Sequence, residues 1–357
     1  MDELAIHKDA PAVLTDIPRY STPELPPVTV AAAPIRIPAL NLFLFAITML
    51  TTTIAGASWA GIDLSFAHPI ADFGLLSAGL SFSIPLMAIL LAHEMGHYLT
   101  ARRHGVSTSL PYFIPAPPTL FLIGTFGAFI RMREMPRTRR VMFDIGAAGP
   151  WAGVIVAIPA VIIGLLLSDV TPLDKTAGGL ELGNSLLFVG LCRLVLRVDP
   201  STVMVHLHPI AMAGWIGLFV TTINLLPVGQ LDGGHVVYAL FPRHHRTISL
   251  LFVISCVLMV IVPFALRLDF WLGWLLWAVL AVALGLGHPS TVDRDTPLNP
   301  RRRLAAWMTV ALFVVTFSPV PLSFTVPEDL PEPSHTIQVH RHVPAHRAPG
   351  NLGRVHI

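Results

Sequence analysis

The sequence predicts an all-α polytopic membrane protein with about seven transmembrane helices, six to eight, and a re-entrant or interfacial segment after the second. Three observations predict this. Several apolar runs reach the roughly 20 residues that a helix needs to cross a bilayer. The chain is 54% hydrophobic and only 12% charged, with a mean hydropathy of +0.68, too apolar for an ordinary soluble domain. Its basic residues, almost all Arg, fall in short clusters between the apolar runs, as in loops that hold a topology.

In chain order, residues 1–37 are Pro-rich with little periodicity and are expected to form a disordered tail. They hold no apolar core of a signal peptide, so the first span itself is expected to direct insertion. That span runs from about Leu40 to Ala60, and a short loop with Asp63, His68 and Asp72 follows. Leu76 to Thr100 is the second span, closed by Arg102 and Arg103. The apolar run Thr119–Ile130 sits between Pro-rich and Arg-rich sequence. It is too short to cross as a helix, which makes it re-entrant or interfacial. Phe143 to Leu167 is the third span, with Gly146, Gly149 and Gly153 near its start, where small residues let helices approach closely. Leu182–Leu196 is apolar but short. Ile210–Leu240 is long for one span and is broken inside by Pro227, Gly229, Gly233 and Gly234. Further spans are expected near Thr247–Leu266, Phe270–Leu286 and Leu304–Val320, and residues 321–357 read as a second disordered tail. One integral domain, residues 38–320, remains between the tails.

The positive-inside rule arbitrates the doubtful segment. With Arg36 and Arg102–Arg103 on the cytoplasmic side, Arg243, Arg246 and Arg301–Arg303 join them only if Leu182–Leu196 does not cross. It is therefore read as interfacial, giving seven spans.

Inside this apolar chain, His93-Glu94-Met95-Gly96-His97 places two imidazoles and a carboxylate in the second span, a costly arrangement unless the groups do chemistry. On a helix His93 and His97 lie one turn apart on a shared face and can aim at one ion. In H-E-x-x-H the two His bind zinc and the Glu serves as general base. A third ligand is needed, usually Asp or Glu. Asp232, a carboxylate inside the broken run, is the best candidate, since its offset from Arg243 puts it within about one helical turn of the depth of His97. His235 is read as a structural or interfacial His, because a fourth protein ligand would close the open position. Asp144 is read as a helix cap or a partner for a nearby Arg.

With these motifs in view, the chain resembles the site-2 protease family of intramembrane zinc metalloproteases, in its cyanobacterial and chloroplast-type branch. The resemblance rests on His93–His97, on Asn224 through Gly234 with Leu231-Asp232-Gly233-Gly234 at its centre, and on Gly124–Ile130 and Phe143–Pro150 between them. It covers about residues 80–300. It implies one Zn2+ per chain held by His93, His97 and Asp232, with Glu94 activating water and Asn224 holding the scissile carbonyl. It also implies that the stretch after the second span is a membrane-dipping β-element against which an extended substrate lies. The substrates implied are single-span membrane proteins cut within or near their transmembrane segments. The expected location is a bacterial inner membrane, with the site near its cytoplasmic face. No soluble stretch of this sequence is long enough for the PDZ or CBS domains of some relatives, so their regulation is not expected here.

Other function classes fit less well. Nucleic acid is excluded as a partner because the Arg residues form no continuous stripe, and the net charge is only +2. Cys192 and Cys256 lack metal or redox spacing and read as buried thiols. A metal transporter is the main alternative, since intramembrane His and Asp also mark ion paths, but no second His-rich span mirrors the first. A non-proteolytic scaffold has no use for Glu94.

Overall fold

The computed structural model describes residues 38–62, 76–118, 121–173, 179–288, 291, 293 and 296–325. Both expected tails, apart from Pro321–Thr325, lie outside the described residues, as does the loop with Asp63, His68 and Asp72.

The described chain is mainly helical. Its helices are α1 (Ala39–Trp59), α2 (Leu80–Arg103, entered through a 3-10 turn at Ser77–Gly79), α3 (Arg139–Leu166), α4 (Leu186–Val195), α5 (Pro209–Asn224), α6 (Asp232–Leu240), α7 (His245–Leu266), α8 (Gly273–Leu284) and α9 (Pro300–Thr316). Three antiparallel two-stranded sheets join them: β1 (Tyr112–Pro115) with β2 (Thr125–Phe129), β3 (Asp169–Pro172) with β5 (Val203–His206), and β4 (Gly179–Leu182) with β6 (Leu322–Thr325).

Among the described residues, four stretches are long and apolar enough to cross a membrane: Ala39–Trp59, Ser77–Arg103, Arg139–Leu166 and His245–Leu266. The other expected spans give shorter helices. The Pro227–Gly229 break divides one run into α5 and α6; Gly285, at φ 95°, ends α8 after 12 residues. Leu182–Leu196 becomes the end of β4 and the ten-residue α4, capped by the Ser185 hydroxyl accepting from Phe188 N, so it does not cross as a helix. The strand β6 shows that four residues beyond Pro321 are paired to β4.

The spans are turned inside out relative to a soluble protein. On α1, Leu42 and Phe43 are 62% and 60% exposed while Thr48 and Thr52 are fully buried, as expected where lipid replaces water and hydroxyls mediate helix contacts. Thr52 Oγ1 and Ser83 Oγ share a hydrogen bond of 2.6 Å between α1 and α2. The core lies where α2, α3 and α5 cross: Phe82, Leu86 and Ile89 meet Val154, Ala157 and Val161, and then Ala213 and Ile216.

The run Thr119–Ile130 is not helical over its described residues. Gly124 and Gly127 hold φ of 76° and 99°, and Thr125, Phe126 and Phe129 favour extended backbone. The resulting hairpin pairs Tyr112 with Phe129 and Ile114 with Gly127. It is fastened along α1: Asn41 Nδ2 donates to Pro111 O at 2.7 Å, Thr51 Oγ1 to Gly124 O at 2.6 Å, and Phe45 meets Phe113 edge-on.

The Arg-bearing ends of α2, α3 and α9 are tied together. Asp144 accepts both Arg302 Nε (2.8 Å) and Arg302 Nη2 (2.7 Å), and pairs with His104 Nε2 at 3.0 Å. This agrees with the reading of Asp144 as an Arg partner.

Candidate metal centre

The site begins with helix geometry. His93 and His97, four residues apart on α2, face inward, and their Nε2 atoms lie 3.1 Å apart. Opposite them the chain breaks after Asn224. Val228 and Gly229 turn it back, and Asp232 starts α6, where the helix dipole favours a carboxylate. The turn is possible only because position 233 has no side chain: a Cβ there would stand 1.9 Å from Leu225 O. Ser249 of α7 supports the turn from below by donating to Pro227 O at 3.1 Å.

This brings Asp232 Oδ2 to 3.3 Å from His93 Nε2 and 3.2 Å from His97 Nε2. The three side chains expected from the sequence to share an ion therefore converge; among the described residues they are the group of donors able to hold a metal. The imidazoles are 4% and 7% exposed, so water contributes little to the cluster.

The donor chemistry tests whether a cation fits. His97 Nδ1 lies 2.7 Å from Ile145 O; carrying the proton there, it donates to the carbonyl and leaves the Nε2 lone pair facing inward. With that tautomer His97 Nε2 and Asp232 Oδ2 are both acceptors 3.2 Å apart, with His93 Nε2 within 3.3 Å of each, and a cation between the three would satisfy them all. Two imidazoles and one carboxylate suit zinc and leave a fourth position open.

Glu94 is buried beside the histidines, and the backbone of Ile130, just past β2, reaches its carboxylate. Asn224, the last residue of α5, brings its Nδ2 to 3.3 Å from His93 Nε2. His235 stands outside the three-ligand group and bonds His288 instead, at 2.7 Å.

Sequence reasoning assigned Gly146, Gly149 and Gly153 to helix packing, and the structure sharpens that. Two of the missing side chains make room for the imidazoles: a Cβ at Gly149 would lie 2.1 Å from His97 Nε2, and one at Gly153 would lie 3.3 Å from His93 Nδ1, whereas one at Gly146 would meet His235 Cβ at 2.7 Å. The sequence signal was the spacing itself, three glycines on one face of a span. Ile145 O left no signal, because a backbone carbonyl carries none.

Comparison with known proteins bears on the whole arrangement. The chain is similar to "Probable zinc metalloprotease EGY1, chloroplastic" of Arabidopsis thaliana, with 36% identity over 189 residues, 51% of this chain and 32% of that one. The protein of that name from Oryza sativa subsp. japonica is 38% identical over 194 residues, 51% and 32% of the two chains. "Probable zinc metalloprotease EGY2, chloroplastic" of Arabidopsis thaliana is 30% identical over 175 residues, 48% and 31%. The chain thus spans about a third of the length of these curated relatives. A family model described as Peptidase family M50 matches residues 81–266, a stretch that holds His93, Glu94, His97 and Asp232 and makes up about half of the sequence. The chain belongs to Peptidase family M50, the site-2 protease family.

Proposed function

We propose that this protein is an intramembrane zinc endopeptidase that hydrolyses peptide bonds in or near membrane-spanning segments of other proteins. The observation that carries the reading is the convergence of His93 Nε2, His97 Nε2 and Asp232 Oδ2 within 3.3 Å of one another, with Glu94 buried alongside. These three atoms would hold one zinc ion. Zinc supplies Lewis-acid activation of water and of the scissile carbonyl.

The rest falls to the chain's own residues. The carboxylate of Glu94 takes the proton of the attacking water and returns it to the leaving amine. Ile145 O holds His97 in one orientation, so the site is preorganised. Asn224, at the open end of α5, would turn its amide from His93 to the substrate carbonyl as charge grows on oxygen. The hairpin β1–β2 offers a strand near Glu94; a substrate added to it would be extended, exposing a peptide bond that a helix hides.

In this reading the hairpin dips into the membrane, and the protease domain spans residues 38–320. α5 with α6, α8 and α9 complete a count of seven passes, and the substrates are single-span proteins. The Arg-rich ends of α2, α3 and α9 mark the side from which water reaches the site. The curated relatives are chloroplastic, so the expected bacterial inner membrane has no support from them; a multi-pass membrane location is what carries over.

The test is Glu94→Gln in the full chain, assayed with a membrane-protein reporter. Cleavage is expected to disappear while one zinc stays bound. Unchanged cleavage by that variant would refute the mechanism.

A further inference from the structure

α6 has only nine residues and starts at Asp232. A helix this short has no stability of its own, so the position of Asp232 is set by whatever grips α6. On one face Val236 and Ala239 pack against Phe143 and Ala147 of α3 and Ala306 of α9.

The other grip comes from residues that follow α8. His235 and Tyr238, three apart, share a face of α6. His288 Nε2 and His235 Nδ1 share a hydrogen bond of 2.7 Å, and the His288 ring stacks on Tyr238 with centroids 4.2 Å apart and planes at 10°. Thr291 N donates to the Tyr238 hydroxyl at 3.1 Å. The buried ring of His245, at the start of α7, stands edge-on to His288 at 5.4 Å. Further along, Asp293 N donates to Arg137 O at 3.0 Å and Arg139 Nη2 to Thr296 O at 3.0 Å. Residues after α8 therefore bind α6 and the start of α3 alike, and α3 is the helix whose Ile145 carbonyl orients His97. His288 and Thr291 lie beyond the stretch matched by the family model, which ends at residue 266.

We propose that His288 is a positioning residue: with Thr291 it forms a clasp on α6 that holds Asp232 at bonding distance from the two imidazoles. The proposal rests on the zinc reading given above. Its two contacts are separable. His288→Ala removes the hydrogen bond to His235 and the stacking on Tyr238, His288→Gln restores a hydrogen-bonding group, and Tyr238→Phe keeps the stacked ring while removing the bond from Thr291.

The experiment measures zinc affinity of the purified full-length protein by competition with a chelator, together with kcat, KM and the melting temperature of the metal-free protein. His288→Ala is expected to weaken zinc binding by up to about tenfold, the low end of the range for groups that bond a metal's ligands directly, because His288 reaches Asp232 only through α6. KM should be unchanged and the metal-free melting temperature close to wild type. His288→Gln should recover most of the affinity, and Tyr238→Phe should show a smaller loss than His288→Ala. Wild-type zinc affinity in His288→Ala overturns the clasp, as does equal loss in the Ala and Gln variants with a matching fall in metal-free melting temperature. A wild-type protein that binds no zinc overturns the metal reading itself, which separates the two failures.

Discussion

Replacing Gly149 by Ala is the sharpest probe of how this site is built. The added Cβ would stand 2.1 Å from Nε2, 2.4 Å from Cε1 and 2.5 Å from Cδ2 of His97. Ordinary carbon contacts begin near 3.5 Å, so the ring must move by about 1 Å or more. It cannot swing freely, because Nδ1 is held by Ile145 O at 2.7 Å. The two helices are in close contact here, with Gly96 against the Ala148 carbonyl, where a Cβ would lie 2.5 Å from the oxygen, so relief by separating them would open that contact. Overpacking of this kind costs about 1–3 kcal/mol. Charged to the metal-bound state, that is about a 5- to 150-fold loss of zinc affinity at 1.4 kcal/mol per tenfold. A displacement near 1 Å also lowers turnover by about 10²-fold. The assay is zinc affinity by chelator competition and reporter cleavage at saturating zinc, with Gly190→Ala as control. Gly190 lies in α4 with nothing within 4 Å of an added Cβ, so that change should leave zinc binding untouched and favour the helix slightly. Gly149→Ala with wild-type affinity and cleavage would refute the claim that this glycine makes room for His97.

Two further outcomes follow from the same geometry. Asp232→Asn keeps the shape but removes the charge that balances the cation, so zinc affinity should fall by at least about tenfold and the rise in melting temperature that zinc produces should shrink with it. Metal content and a thermal scan check this. Asp144→Asn weakens the two-pronged hold on Arg302 and the pair with His104. A hydrogen bond to a charged group contributes about 1.5–3 kcal/mol, so the melting temperature should drop by several degrees with zinc affinity unchanged, read by the same two measurements.

Much of the site was legible before any coordinates. His93 and His97 are local: a helix period of 3.6 residues alone puts them on one face, and the apolar run that leads up to them makes the helix a candidate span. The break at Pro227–Gly229 was visible as residues that cannot continue a helix, and Asp232 stood out as a carboxylate with no business in lipid. The hairpin was harder. Length ruled out a crossing helix at Thr119–Ile130, but pairing with Tyr112–Pro115 depends on a partner strand and on anchors such as Asn41 of α1, far away in sequence. Helix length was less legible than apolarity, because apolarity alone does not fix it: α8 stops after 12 residues where Gly285 adopts φ 95°.

What the sequence by itself determined is the chemistry available: two imidazoles, a general base and a third carboxylate, set in a chain that must live in a bilayer. Only the tertiary structure decided that Asp232 meets the two histidines at 3.2–3.3 Å, that Gly149 leaves space for His97, and that His288 holds α6 from outside the family-matched stretch. The reason is range. Periodicity and residue type report on neighbours a turn away, whereas close approach between α2, α3 and α6 is settled by how buried surfaces pack, and the absence of a side chain becomes informative only once its neighbour is known.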